Sequence, residues 1–170
     1  MDKNLLPALL LIFVLVAPSL AIHPAGDHLL FLINRNVDRN EVHYFVNLDK
    51  SGHLDMLQPV KVFWIKHEDN GQREPLTRMQ NKFAYGLEFV HAEQEKAIFR
   101  IVAHDQLFEV SKGANGRFRA VALRPKAEMV VERIFVQIDG GSFLFPKVSK
   151  VEIKGIALTT GNYIVEALSP

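Results

Sequence analysis

Short runs of Val, Ile and Phe, each closed by turn residues, constrain this chain more than any other feature. Val42, Tyr44, Val46 and Leu48 alternate with His43, Phe45 and Asn47. That is the period-two pattern of a strand whose successive side chains point to opposite faces. Val60–Lys66 is apolar on both faces, as a central strand would be. Phe99 and Ile101 stand against Arg100 and Val102, and Val151 and Ile153 against Lys150, Glu152 and Lys154. Further runs cover Arg117–Leu123, Met129–Ile138 and Tyr163–Leu168. Between them lie Asp49–His53, Asn70-Gly71, Lys112–Gly116, Asp139-Gly140-Gly141 and Thr160-Gly161-Asn162, all with turn chemistry. Strands recurring about every 8–12 residues predict an all-β fold. We expect a single antiparallel β-sandwich of about eight strands, with a closed up-and-down β-barrel as the alternative.

One stretch departs from this pattern. Leu76, Met79 and Phe83 recur at helical spacing, Pro75 suits a first helical turn, and Gly86 can supply the stop. The spacing predicts one short helical insertion over Pro75–Phe83, lying over one end of the sheet structure. No internal repeat, low-complexity tract or shift in composition marks a second domain, so residues 22–170 read as one domain.

The first 21 residues follow a different logic. Lys3 precedes an apolar run, Leu5–Val16, interrupted by Pro7; Pro18 ends it, and Ser19 and Ala21 place small residues where a signal peptidase reads. This is the three-part pattern of a secretory signal peptide. The run is too short to cross a bilayer core of about 30 Å comfortably. The expectation is a signal peptide over 1–21, cleavage after Ala21, and a secreted mature chain, periplasmic or extracellular, with no stable membrane anchor. Cysteine is absent, which excludes disulfides, thiolate metal sites, cysteine nucleophiles and a lipid-modified cysteine. A mature domain of this size buries enough surface to fold without a disulfide.

Several segments together resemble a known family. They are Val62-Phe63-Trp64-Ile65, Asn70-Gly71-Gln72-Arg73-Glu74, Lys82-Phe83-Ala84-Tyr85-Gly86, and Asp139-Gly140-Gly141-Ser142-Phe143 with Pro146-Lys147-Val148. Val151-Glu152-Ile153-Lys154-Gly155 and Thr160-Gly161 continue the match. The chain resembles an exported bacterial family known only as a domain of unknown function, spanning nearly the whole mature chain. The resemblance implies an all-β secreted domain and supplies no activity, substrate or catalytic residue.

Charge and motifs narrow the function classes. Lys and Arg number 20 against 19 Asp and Glu, whereas a nucleic-acid binder is expected to be strongly basic. Histidines 23, 28, 43, 53, 67, 91 and 104 invite a metal reading. No two share one strand face, and His-x-His, His-Glu-x-x-His and His-x-x-Glu-His are all missing. The sequence therefore points to surface or hydrogen-bonded histidines and assigns neither a metal site nor a cofactor. Asp49–Asp55 lacks the alternating oxygen ligands of a calcium loop. Gly140-Gly141-Ser142-Phe143-Leu144 lacks the closing glycine of a nucleophile elbow.

Two clusters remain as ligand-binding candidates. Val110–Ala127 holds five bases and no acid; Arg117 and Arg119 in it are expected to share a strand face and could take an anion by bidentate contacts. The bland reading is a solvated hairpin offset by Glu128 and Glu132. The helical insertion and its flanks hold Arg73, Lys82 and Tyr85, with Trp64 on the preceding strand, a mixture of aromatic wall and polar groups found in binding clefts. No catalytic constellation emerges. The favoured reading is an exported, non-enzymatic binding or interaction module whose partner is an envelope protein or a small anionic ligand. The alternative is a small-ligand carrier or hydrolase-like enzyme with its site near the insertion. A pocket of a few hundred Å³ lined by those side chains would favour the alternative, and an exposed apolar patch the favoured reading.

Overall fold

The computed structural model describes residues 28–124, 128–142 and 146–168. Strand β1 is Leu29–Arg35, β2 Glu41–Val46, β3 Val60–Lys66 and β4 Gln72–Pro75. After helix α1 (Arg78–Phe83) come β5 (Leu87–Ala92), β6 (Lys96–Ile101), β7 (Leu107–Lys112) and β8 (Phe118–Ala122). The long strands β9 (Met129–Gly141) and β10 (Pro146–Ala157) and the terminal β11 (Tyr163–Leu168) follow. Among the described residues no helix is long and apolar enough to cross a membrane.

In β2 Val42, Tyr44 and Val46 are buried as alternation predicts, and Phe45 on the opposite face is buried as well, with the Arg73 guanidinium over its ring. Alternation holds in β6, where Ala97, Phe99 and Ile101 are buried and the residues between them are half-buried. Most consecutive strands pair antiparallel across short turns. Asn70 (φ 57°) and Gly71 (φ 76°) take the left-handed conformations that the β3–β4 turn requires.

The sheet is organised by β9. One edge pairs with β10 along most of its length. The other is divided: Met129 and Val130 pair with β8, and Arg133–Val136 run parallel to Leu32–Arg35 of β1. Two four-stranded arms, β1–β4 and β5–β8, thus leave the same edge of one long strand. Twist and register shifts in the β9–β10 ladder fold them toward each other. The result is one eleven-stranded sheet curled into a half-barrel.

This corrects the expectation in two respects. There are eleven strands among the described residues where about eight were expected, and one neighbouring pair is parallel. The added strands include β4, short and polar, and β5, mostly exposed, in which no period-two burial marks the run. Asp139-Gly140-Gly141, expected as a turn, instead carries β9 to its end, with both glycines at positive φ.

The arms meet through aromatic rings. Phe31 stacks on Tyr44 at 4.4 Å and reaches Phe108 at 5.6 Å, and Phe99 lies 5.6 Å from Phe108. All four are buried, and offset stacking at these distances adds to the area they bury.

Candidate functional site

Helix α1 crosses from one arm to the other. Thr77 caps it: its hydroxyl accepts from the Gln80 N–H, and the Gln80 side chain accepts from the Thr77 N–H at 2.9 Å. Pro75, expected in the first turn, instead ends β4 opposite Phe63. Leu76 packs on the core. No residue of α1 is buried, and Met79 and Phe83 remain 51% and 58% exposed. A six-residue helix with an uncovered apolar side is stabilised little by packing.

That side forms one wall of a groove of about 810 Å³. Ile138 and the end of β9 lie across from it, and Val37, itself 54% exposed, adds apolar surface. Arg35, Asp38 and Tyr85 supply the polar groups. The Arg35 guanidinium bonds the Asp38 carboxylate through Nη2 and donates from Nη1 to the Tyr85 hydroxyl at 3.2 Å. It also lies 4.7 Å over the Trp64 ring, whose centroid is 5.6 Å from that of Tyr85. The buried Tyr44 hydroxyl donates to the Tyr85 carbonyl at 2.9 Å. Burial pushes the Tyr85 phenol above its ordinary range, with Arg35 pulling it partly back. The polar group is therefore anchored to the core on two sides.

Of the candidates read from the sequence, only Tyr85 lines this groove. Trp64 is buried behind it and positions Arg35. Arg73 is on the opposite face of the sheet, its guanidinium 4.3 Å over Phe45 and 4.1 Å over Phe63. The Lys82 ammonium stands 5.0 Å over the ring of its neighbour Phe83. Arg117 and Arg119 belong to the β7–β8 hairpin. Bases of that region meet acids other than Glu128 and Glu132: Lys112 pairs with Glu95 at 2.9 Å and Arg124 with Glu166 at 2.5 Å. Lys126 and the Phe143–Phe145 segment lie outside the described residues.

The residues of the other motifs make local contacts. Asp49 accepts N–H bonds from Ser51 and His53, and Asp55 from Leu57 and Gln58, so both carboxylates build turns. His91 pairs with Glu93, and His53 with Glu95. One convergence has no sequence motif of its own: Glu41, His43 and His67 bring three ligand atoms within 4.8 Å of one another. Its signal is Glu41-x-His43 on one strand face, legible by alternation, with His67 added by the β2–β3 pairing.

A second groove of about 540 Å³ is lined by Phe135, Lys154, Tyr163 and Val165 on β9, β10 and β11. Residues 31–167 match the model of a family described as a domain of unknown function, DUF4833. The chain belongs to this family. The matched span begins within β1 and ends within β11, so the DUF4833 unit is the curled sheet with its α1 insertion. No curated protein and no solved structure gives a significant match.

Proposed function

We propose that this DUF4833 chain is an exported binding domain that holds a small amphipathic, anionic molecule in the groove beside α1. One observation carries the reading: Met79, Phe83 and Val37 stay half exposed around a groove whose polar end is Arg35, Asp38 and Tyr85. Small-ligand sites combine apolar walls with a few placed polar groups in roughly 300–1,000 Å³, and this groove has both the size and the mixture. Arg35 is the anchor for an anionic end. Its guanidinium carries five N–H donors in a rigid fork, and the contacts to Asp38, Tyr85 and Trp64 hold that fork in place. The chemistry favours holding over catalysis. Asp38 is tied to Arg35, and the Tyr85 phenol keeps its proton beyond the ordinary tyrosine range.

The test uses anilinonaphthalene sulfonate, an apolar ring system with one anionic group. Saturable one-to-one binding is expected, with Trp64 fluorescence responding through Arg35 and Tyr85. Phe83→Ser should weaken it by about tenfold, the loss of roughly 1.4 kcal/mol of apolar contact. Val165→Ser, in the second groove, should leave it unchanged. Equal affinity in Phe83→Ser, or loss confined to Val165→Ser, overturns the assignment.

Export rests on the leader pattern in residues 1–21. N-terminal sequencing of the mature protein should begin at Ile22 or close to it; a product that retains Met1 refutes it.

A further inference from the structure

Away from the groove, the outward face of β2 and the turn after β3 bring two imidazoles and one carboxylate to a point. Strand alternation places Glu41 and His43 on one face, opposite the buried Val42 and Tyr44. Glu41 pairs in register with Ile65, two residues before His67. The chain then enters a short 3₁₀ turn, His67–Asp69, and reverses through the left-handed Asn70 and Gly71. This reversal returns His67 over the Glu41 carboxylate. His43 Nε2 lies 2.8 Å and His67 Nε2 3.1 Å from the same oxygen, Glu41 Oε2.

We propose that Glu41, His43 and His67 form a binding site for a divalent transition-metal ion of the zinc class, with one coordination position open to solvent. The distances fit. Donors held at about 2.0–2.2 Å from a tetrahedral zinc ion stand roughly 3.3–3.6 Å apart, so the nitrogen–oxygen separations of 2.8 and 3.1 Å need to widen only by small side-chain rotations to admit the ion. The donor set fits as well: two imidazoles and a carboxylate suit zinc and its neighbours, whereas calcium and magnesium take oxygen ligands. Exposure is graded in the right sense. The Glu41 and His43 side chains are 20% and 17% exposed, while His67 is 43% exposed at the rim. The His43 ring sits 5.9 Å from Phe45, which gives the inner side of the site an apolar wall. In the metal-free state both ring Nε2 atoms stand within hydrogen-bond distance of one carboxylate oxygen; ligation through Nε2 requires each imidazole to be neutral with its proton on Nδ1.

An internal control exists. His91 Nε2 lies 2.8 Å from Glu93 Oε1 in the same i, i+2 arrangement. It joins no cluster of three ligand atoms among the described residues. If strand-face His–Glu pairs alone bound metal, that pair would bind too.

The purified full chain, stripped with a chelator, should be titrated with zinc chloride by calorimetry and with cobalt chloride by visible absorption. One ion per chain is expected, with the intense cobalt bands of four- or five-fold coordination. His67→Gln and Glu41→Gln should each weaken affinity by about 100-fold or more, since disturbing only the groups behind ligands already costs 10–100-fold. His91→Gln should bind as the parent does. Zinc should raise the melting temperature of the parent and of His91→Gln, and fail to raise that of His67→Gln. Absence of saturable one-to-one binding, parental affinity in His67→Gln, or an equal loss in His91→Gln overturns the site. His67 is at a half-exposed turn, so its variant decides the matter even if Glu41→Gln does not fold.

Discussion

Gly86 lies so close to Asn81 that a Cβ on it would stand 1.8 Å from the Asn81 carbonyl oxygen and 2.7 Å from Oδ1 of its side chain. The contact closes the end of α1. The N–H groups of Ala84 and Tyr85 both donate to the Gln80 carbonyl, and the Gly86 carbonyl accepts from Val102. Backbone cannot withdraw as the tip of a flexible side chain can, so Gly86→Ala must shift the turn that presents Tyr85. We expect a loss of about 1–3 kcal/mol, read as a lower urea midpoint at unchanged slope. The same logic applies to Gly155, whose added Cβ would meet the Val130 carbonyl oxygen at 2.0 Å. A parental midpoint in both variants would show that these approaches relax freely.

Tyr44 is buried completely, and its hydroxyl donates to the Tyr85 carbonyl. Tyr44→Phe removes the donor and leaves a carbonyl short of its partner, at a cost of about 1–2 kcal/mol. Its retained ring should preserve the stack on Phe31. Urea denaturation of the variant measures the cost, and a change of a few tenths would place water at the vacated hydroxyl.

Burial also raises the Tyr44 phenol well above its ordinary value of 10.0. The folded state therefore holds a proton that the unfolded state releases near pH 10. That contribution is complete below about pH 10 and is lost as the pH rises above it. Stability followed by urea midpoints should fall with a steep alkaline limb. In Tyr44→Phe the limb should be shallower; an unchanged slope would assign the alkaline loss to other groups.

The strand-by-strand pattern is legible in the sequence where burial is one-sided. Val42, Tyr44 and Val46 announce the inner face of β2, and Leu76, Met79 and Phe83 announce α1. Local pattern carries no information about which distant strand fills an edge. The parallel pairing of Leu32 with Arg133 joins residues far apart in the chain and fixes the branching at β9, yet neither run differs from an ordinary strand. The groove is legible in part for the same reason. Tyr85 and the helix stand out by composition, whereas Arg35 and Asp38 arrive from the end of β1, brought there by that pairing. Gly86 reads in the sequence as a helical stop; its requirement is the close approach to Asn81.

The uncovered side of α1 separates binding surface from core in one set of variants. Phe99 is fully buried, stacks with Phe31 and Phe108, and has Phe89 tilted against it at 5.9 Å. Phe99→Ala should cost about 3–5 kcal/mol, from lost transfer energy and the cavity left behind. Thr77→Ala removes one half of the capping box and should cost about 1 kcal/mol. Met79→Ala and Phe83→Ala remove side chains that already meet solvent, so each should stay within about 0.5 kcal/mol of the parent. Thermal or urea unfolding gives the four values together. A loss of about 2 kcal/mol or more in Phe83→Ala, the cost of truncating a buried residue, would make that ring part of the core. The groove would then be a consequence of packing and not a surface kept open for a ligand.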